Sequence, residues 1–157
     1  MTALKQTTTA DSGPWLANEG AGPLAGVRVV DLTINILGPV STQILGDMGA
    51  DVIKVESPQG DQNRSIGPAK HPGMSALYMS MNRNKRSIIL NLKQPEAKEA
   101  LKRLVASADV FVHSMRPGAA KRLGVDYASI AAINPKIVYG SAPGYRPDGP
   151  YRDRPAY

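Results

Sequence analysis

Arg116 and Arg122 bracket the segment Pro-Gly-Ala-Ala-Lys. Proline suits the first turn of a helix, so the two guanidinium groups should stand at opposite ends of a short one. A guanidinium forms paired, charge-assisted bonds to phosphate, and the amides of a helix start point donors the same way. On charge alone the pair reads better as solvated side chains flanking a helix. Further cations come in short groups, Arg83/Lys85/Arg86, Lys102/Arg103, Lys121/Arg122 and Arg152/Arg154, with acids between them. The net charge of +6 and pI near 9.7 imply an anionic partner, which is nucleic acid, phosphate or an acidic small molecule. Nucleic acid is disfavoured, because no basic recognition helix, metal-ligand set or platform of stacking aromatics is legible.

Acid, base and metal chemistry have little to work with. There is no cysteine and there are two histidines, which removes thiolate nucleophiles, disulfides and histidine-rich metal sites. His113 ends an apolar run and invites an acid/base role, but a lone histidine is more often structural. Glu56 also ends an apolar run, and Asp31, Asp148 and Asp153 carry no motif of their own.

The elements that must position these groups follow from periodicity. Val27 to Glu56, VRVVDLTINILGPVSTQILGDMGADVIKVE, reads as strand, loop, helix and strand. Val27 to Thr33 and Asp51 to Glu56 are apolar on consecutive positions, as parallel strands covered on both faces are. Pro39 fits the first helical turn, Ile44, Leu45 and Met48 form an apolar stripe, and Gly49 ends the helix. Such a unit binds ligands at the carboxyl ends of its strands, where Ile36-Leu37-Gly38-Pro39 lies. A dinucleotide loop needs glycines in G-x-G-x-x-G spacing; this loop has one, although Glu56 stands near the place of a ribose-binding acid.

Further along, Ser57 to Pro72 reads as a long loop, Met74 to Met81 as a short helix and Ser87 to Leu92 as a third strand. A helix starting at Pro95 has Glu96 early, Arg103 late and Ala100, Leu101, Leu104 and Val105 as its inner face. Asp109 to His113 is a fourth strand, Pro117 to Leu123 a helix closed by Gly124, Asp126 to Ile133 another, and Ile137 to Ser141 a fifth strand. Strands alternating with helices in 157 residues predict one α/β domain with a Rossmann-like, doubly wound parallel sheet. Residues 1–22, rich in threonine and glycine, read as a loose arm ahead of a domain over residues 23–157. No apolar run reaches the ~20 residues of a membrane span, so the expectation is a cytoplasmic protein without membrane contact.

Several segments in register then carry a resemblance: PLAGVRVVDLT, the LGP loop, GDMGADVIKVESP, SMNRNKRSIILNLK, MRPGAAKRLGVDYASIAAINPKIVYGS and GYRPDGPYRDRPAY. From Pro23 to Tyr157 the chain resembles the amino-terminal part of the family III CoA-transferases. These include formyl-CoA transferase, the carnitine and bile-acid CoA-transferases and the α-methylacyl-CoA racemases. The resemblance implies an incomplete half of a larger fold whose two subunits interlock as rings. Its ligand would be coenzyme A, entering as acyl-CoA, and a carboxylic acid would accept the CoA, with no metal.

Residue by residue, the resemblance assigns Arg116 and Arg122 to CoA phosphates and Leu90, Asn91, Leu92 and Lys93 to a segment along the nucleotide. Ile36 and Leu37 match the loop near pantetheine and thioester, with core packing as the competing reading. Ser57 stands where many members have arginine or another polar contact to CoA. Ser114-Met115 replaces a common Asn-Phe, and His113 a common Glu, so binding there would rest on backbone groups. The Asn-x-Asn-Lys-Arg-Ser signature places Arg83, Lys85 and Arg86 either against anionic CoA or on an exposed turn made by Asn82 and Asn84. Tyr157 favours a transferase over a racemase, whose members have histidine there. The family's nucleophilic aspartate would lie beyond Tyr157, so no catalytic residue is assigned and the chain alone is expected to be inactive. The other readings are a non-catalytic CoA-binding or assembly module and, less favoured, a dinucleotide-binding domain.

Overall fold

The computed structural model describes residues 22–152 together with Arg154 and Ala156. Of the expected arm only Gly22 falls within them; Asp153 and Tyr157 also lie outside the described residues.

Five parallel strands form one sheet in the order β3-β2-β1-β4-β5: β1 (Arg28–Leu32), β2 (Asp51–Glu56), β3 (Lys85–Ile89), β4 (Val110–His113) and β5 (Val138–Ser141). The direction of growth reverses between β1 and β4. Crossovers therefore lie on both faces, which is the doubly wound arrangement expected from the alternation of elements. On one face α3 (Pro95–Ala106), α4 (Pro117–Leu123) and α5 (Tyr127–Ile133) bury the main core, with Val30, Leu32, Val55 and Phe111 from the strands and Leu101, Val105, Ala120 and Ile130 from the helices. The predicted inner face of α3 is there, and Gly124 closes α4 with a left-handed φ of 73°. Asp126 caps α5 by accepting from the Ser129 N–H.

The opposite face, under α1 (Leu37–Asp47), departs from the pattern. Of the expected stripe Leu45 packs against Val29 and Val52, but Ile44 and Met48 are close to half exposed, and the residues the helix buries are Gly38, Pro39, Thr42, Gln43 and Gly46. The reason lies in the strands beneath. Val29 and Val52 make an apolar patch, but the next inward positions along the same strands are Asp31 and Lys54, adjacent in register. Asp31 accepts from Thr33 N–H (2.8 Å), Thr33 Oγ1 (2.5 Å), Thr42 Oγ1 (2.6 Å) and the Lys85 ammonium (3.0 Å). Lys54 pairs with Asp61 at 2.9 Å and donates to the Thr33 carbonyl at 2.8 Å. A polar sheet face needs a polar, closely seated helix, and a Cβ on Gly38 would fall 2.4 Å from Thr33 Cβ. The one glycine of the β1–α1 loop thus serves helix-to-strand approach.

Lys85 is the clearest correction. It belongs neither to an exposed turn nor to a ligand surface: its side chain is 1% exposed and its ammonium also donates to Pro39 O, Thr42 Oγ1 and Asn82 Oδ1. Burial lowers its pKa, against the pull of Asp31. Arg83 and Arg86 pair with Asp47 and Asp51, and Asn84 makes the turn at φ 60° as expected. Anchoring Lys85 starts β3 two residues early and ends it at Ile89, so Leu90 to Leu92 leave the sheet. Between β2 and α2 (Ala76–Met81) the long loop contains a 3-10 turn (Gln62–Ser65) capped by Asp61.

Removing one partner of a buried ion pair strands the other. Lys85→Met is therefore expected to lower unfolding stability by about 3 kcal/mol, and Asp31→Asn combined with Lys85→Met by less than that. Urea denaturation of both variants checks the order; a double variant no better than the single one would contradict it.

Candidate functional site at the carboxyl ends of the strands

A cleft of about 450 Å³ opens at the carboxyl ends of β1 to β4, across the point where strand order reverses. Its floor is apolar, from Leu32, Ile34, Val55, Leu90, Leu92, Met115 and Leu123, and one wall is the segment Ser57 to Gln62. Each element delivers its lining for a local reason. Leu90 N–H gives the last ladder bond, to Glu56 O (2.8 Å), and Asn91 then turns the chain by accepting from Lys93 N–H and, through its carbonyl, from Gln94 N–H. Leu90 and Leu92 pack on the main core from that turn.

Of the residues singled out in the sequence, Ser57, Leu90, Asn91, Leu92, Lys93 and Met115 line this cleft. Arg116 caps the start of α4 and Arg122 lies in its last turn, so each is one residue from a lining side chain, Met115 or Leu123. Both are exposed, and among the described residues neither guanidinium, nor the Lys93 ammonium, has an ion pair or side-chain hydrogen bond. Ser114 lies beside the cleft, where its hydroxyl accepts from Ile34 N–H at 2.9 Å and ties β4 to the β1–α1 turn. Ile36 and Leu37 are outside the lining, on the first turn of α1, with 51% and 62% of their surface exposed. That exposure removes the core-packing reading. Ile34, which the sequence reading passed over, is the aliphatic residue of this turn that reaches the cleft.

The two carboxylates at the wall are already engaged. Glu56 accepts from Arg64 through both oxygens (2.6 and 2.7 Å), from Ser87 Oγ (2.5 Å), from Tyr78 Oη (3.1 Å) and from Asp61 N–H (2.9 Å). Burial acts to raise its pKa, but the bonds from Arg64, Ser87 and Asp61 N–H outweigh it and hold the group at about 2. No lone pair of Glu56 is left for a ribose, which removes the acid on which the dinucleotide reading depended. Asp61 is held by Lys54.

His113 is structural by its contacts. Its Nδ1 accepts from Met115 N–H (3.0 Å), so the proton sits on Nε2, facing Tyr139 Oη at 2.7 Å, which in turn donates to Val125 O at 2.9 Å. Burial lowers the histidine pKa and, with the charge of Asp126, pushes Tyr139 up to about 12. Among the described residues no group of three His, Asp or Glu stands together to hold a metal ion, and no helix is long and apolar enough to cross a membrane.

A family model for CoA-transferase family III matches residues 24–157. The chain belongs to that family. It is 45% identical over 136 residues to human succinyl-CoA:glutarate CoA-transferase, covering 86% of this chain and 31% of the relative. Acetyl-CoA:oxalate CoA-transferase of Acetobacter aceti is 44% identical over 138 residues, covering 87% and 35%. Among solved structures, a CAIB/BAIF family protein from Brucella suis superposes with a TM-score of 0.82 at 42% identity, over 87% of this chain and 37% of that one. The chain spans about a third of the length of the curated relatives it matches.

The depressed pKa of Glu56 carries a pH signature. With an ordinary value of 4.5 and a folded value of about 2, its contribution is fully present above pH 4.5 and is lost as pH falls toward 2. Thermal melts between pH 5 and 2 should therefore show the wild-type advantage over Glu56→Gln shrinking across that window. An advantage independent of pH would mean that the carboxylate is not held ionised.

Proposed function

We propose that this chain is the CoA-binding portion of a family III CoA-transferase, which moves CoA from an acyl-CoA thioester to a carboxylic acid. The reading is supported by an apolar cleft floor together with cations that line it or stand next in sequence to its lining, Lys93, Arg116 and Arg122, which among the described residues have no ion pair or side-chain hydrogen bond. CoA has matching parts: an apolar arm and adenine at one scale, phosphates at the other. In this reading Leu90 to Lys93 run along the nucleotide, Arg116 and Arg122 take the phosphates, Ser57, Ser114 and Met115 shape the wall, and Ile36 and Leu37 meet the pantetheine end outside the cleft.

Covalent CoA transfer needs a carboxylate that can attack a thioester carbonyl, so that acyl transfer divides into easier steps. Glu56 and Asp61 are both unsuited: the Glu56 oxygens are engaged by Arg64, Tyr78 and Ser87, and Asp61 is a fully buried side chain ion-paired to Lys54. The nucleophile in this proposal is an aspartate outside the sequence given, and the acyl partners and a dimeric assembly belong to the whole enzyme. The same engaged carboxylates favour a second reading, in which the chain binds CoA without catalysing.

Isothermal titration with CoA tests the site. Arg122→Ala should weaken binding roughly tenfold, about 1.4 kcal/mol, as expected for a charge-assisted contact to phosphate. Arg28→Ala, whose guanidinium pairs with Asp51 at the amino ends of β1 and β2, away from the cleft, should leave binding unchanged; equal effects would count against the site. With acyl-CoA and a free acid, the chain alone should give no thioester exchange. Turnover would place the nucleophile within these residues.

A further inference from the structure

The β1–α1 turn at the cleft mouth is held by more groups than burial requires. Asn35 occupies the left-handed region at φ 67°, an uncommon conformation for a residue with a side chain. It separates Ile34, which lines the cleft, from Ile36, which opens α1. Lys54 Nζ bridges the Thr33 carbonyl and Asp61. Asp61 Oδ1 accepts from Asn63 N–H at 3.0 Å, and Asn63 Nδ2 donates to the Asn35 carbonyl at 2.7 Å. Gln62 Nε2 donates to Asn35 Oδ1, and Ser75 Oγ to the Asn63 carbonyl. Thr33, Lys54, Asp61, Asn63 and Asn35 thus form a closed circuit between the turn and the facing wall of the cleft.

The informative member is Asn63, which is 3% exposed. The Asn35 carbonyl sits on a partly exposed turn. Its bond from Asn63 satisfies a buried amide and at the same time ties that turn to the segment that follows the cleft wall. We infer that Asn63 is a positioning residue for ligand binding: acting through Asn35, it fixes Ile34 relative to the Ser57 to Gln62 wall, so that the cleft keeps its width before a ligand arrives. A pre-set width removes an ordering cost from binding. This rests on the cleft being the CoA site.

The test combines CoA titration with amide hydrogen exchange on the purified chain. Asn63→Ala should weaken CoA binding about tenfold, on the scale of one well-made hydrogen bond, and speed exchange over residues 33–37. Ile130→Val, a core trim on α5 that lowers stability, should leave affinity within twofold and exchange at 33–37 unchanged. Asn35→Gly, which keeps both the carbonyl and the left-handed backbone, should stay within threefold of wild type; Asn35→Val, whose branched side chain fits that backbone poorly, should lose as much as Asn63→Ala. Unchanged affinity in Asn63→Ala, or a loss matched by Ile130→Val, would overturn the inference. If Asn63→Ala does not fold, equal affinities for the two Asn35 variants overturn it instead. Absence of CoA binding by the wild-type chain removes the CoA reading and this inference with it. Exchange keeps those failures apart: acceleration at 33–37 in Asn63→Ala alone means a fixed turn and a wrong ligand, and no acceleration means that Asn63 holds nothing.

Discussion

Two lysine ammonium groups, each on a side chain 1% exposed, are paired with buried aspartates: Lys85 with Asp31 between the sheet and α1, and Lys54 with Asp61 of the cleft wall. Desolvating them is costly, and the cost is offset only while both pairs and their added hydrogen bonds stay intact. Much of the geometry follows. α1 must present Thr42 and a close glycine rather than Ile44 and Met48, β3 must begin at Lys85, and the chain after β1 must turn where Lys54 and Asp31 can reach Thr33. The charged half of this face lies toward the carboxyl ends of the strands, where the cleft is. The ion pairs that constrain the fold therefore also constrain the mouth of the site.

The strands on the α3, α4 and α5 side were legible because apolar periodicity and local punctuation agreed there: Pro117 and Gly124 bound α4, and Asp126 starts α5. The α1 side was not, because hydropathy patterns assume that buried means apolar. Ile44 and Met48 looked like an inner face and are half exposed, while Lys85 looked like a surface charge and is buried. The same blindness moved β3. In Ser-Ile-Ile-Leu-Asn-Leu the apolar run does not distinguish ladder residues from Leu90 and Leu92, which pack on the core from a turn.

For the cleft, family pattern pointed to residues that residue chemistry did not. Leu90 to Lys93 carry no chemical signature that sequence alone would flag, yet they line the cleft beside Ser57 and Met115. Glu56 shows the reverse: a carboxylate at a strand end looks functional until its oxygens are found engaged by Arg64, Tyr78, Ser87 and the Asp61 amide. His113 is similar, with both ring nitrogens committed to Met115 and Tyr139. Such commitments are three-dimensional, between residues far apart in the chain, and no spacing rule reports them.

The glycine of the first turn of α1 is taken up by its close seating on Thr33, and the loop lacks the further glycines with which glycine-rich loops enclose an anion in backbone amides. In the CoA reading, phosphate recognition falls to exposed guanidinium groups on α4 instead. A backbone cradle is shielded from the medium, whereas exposed cations act through solvent whose ions screen them within roughly 8 Å at physiological ionic strength. The occupancy of such a site is set partly by the electrolyte around it.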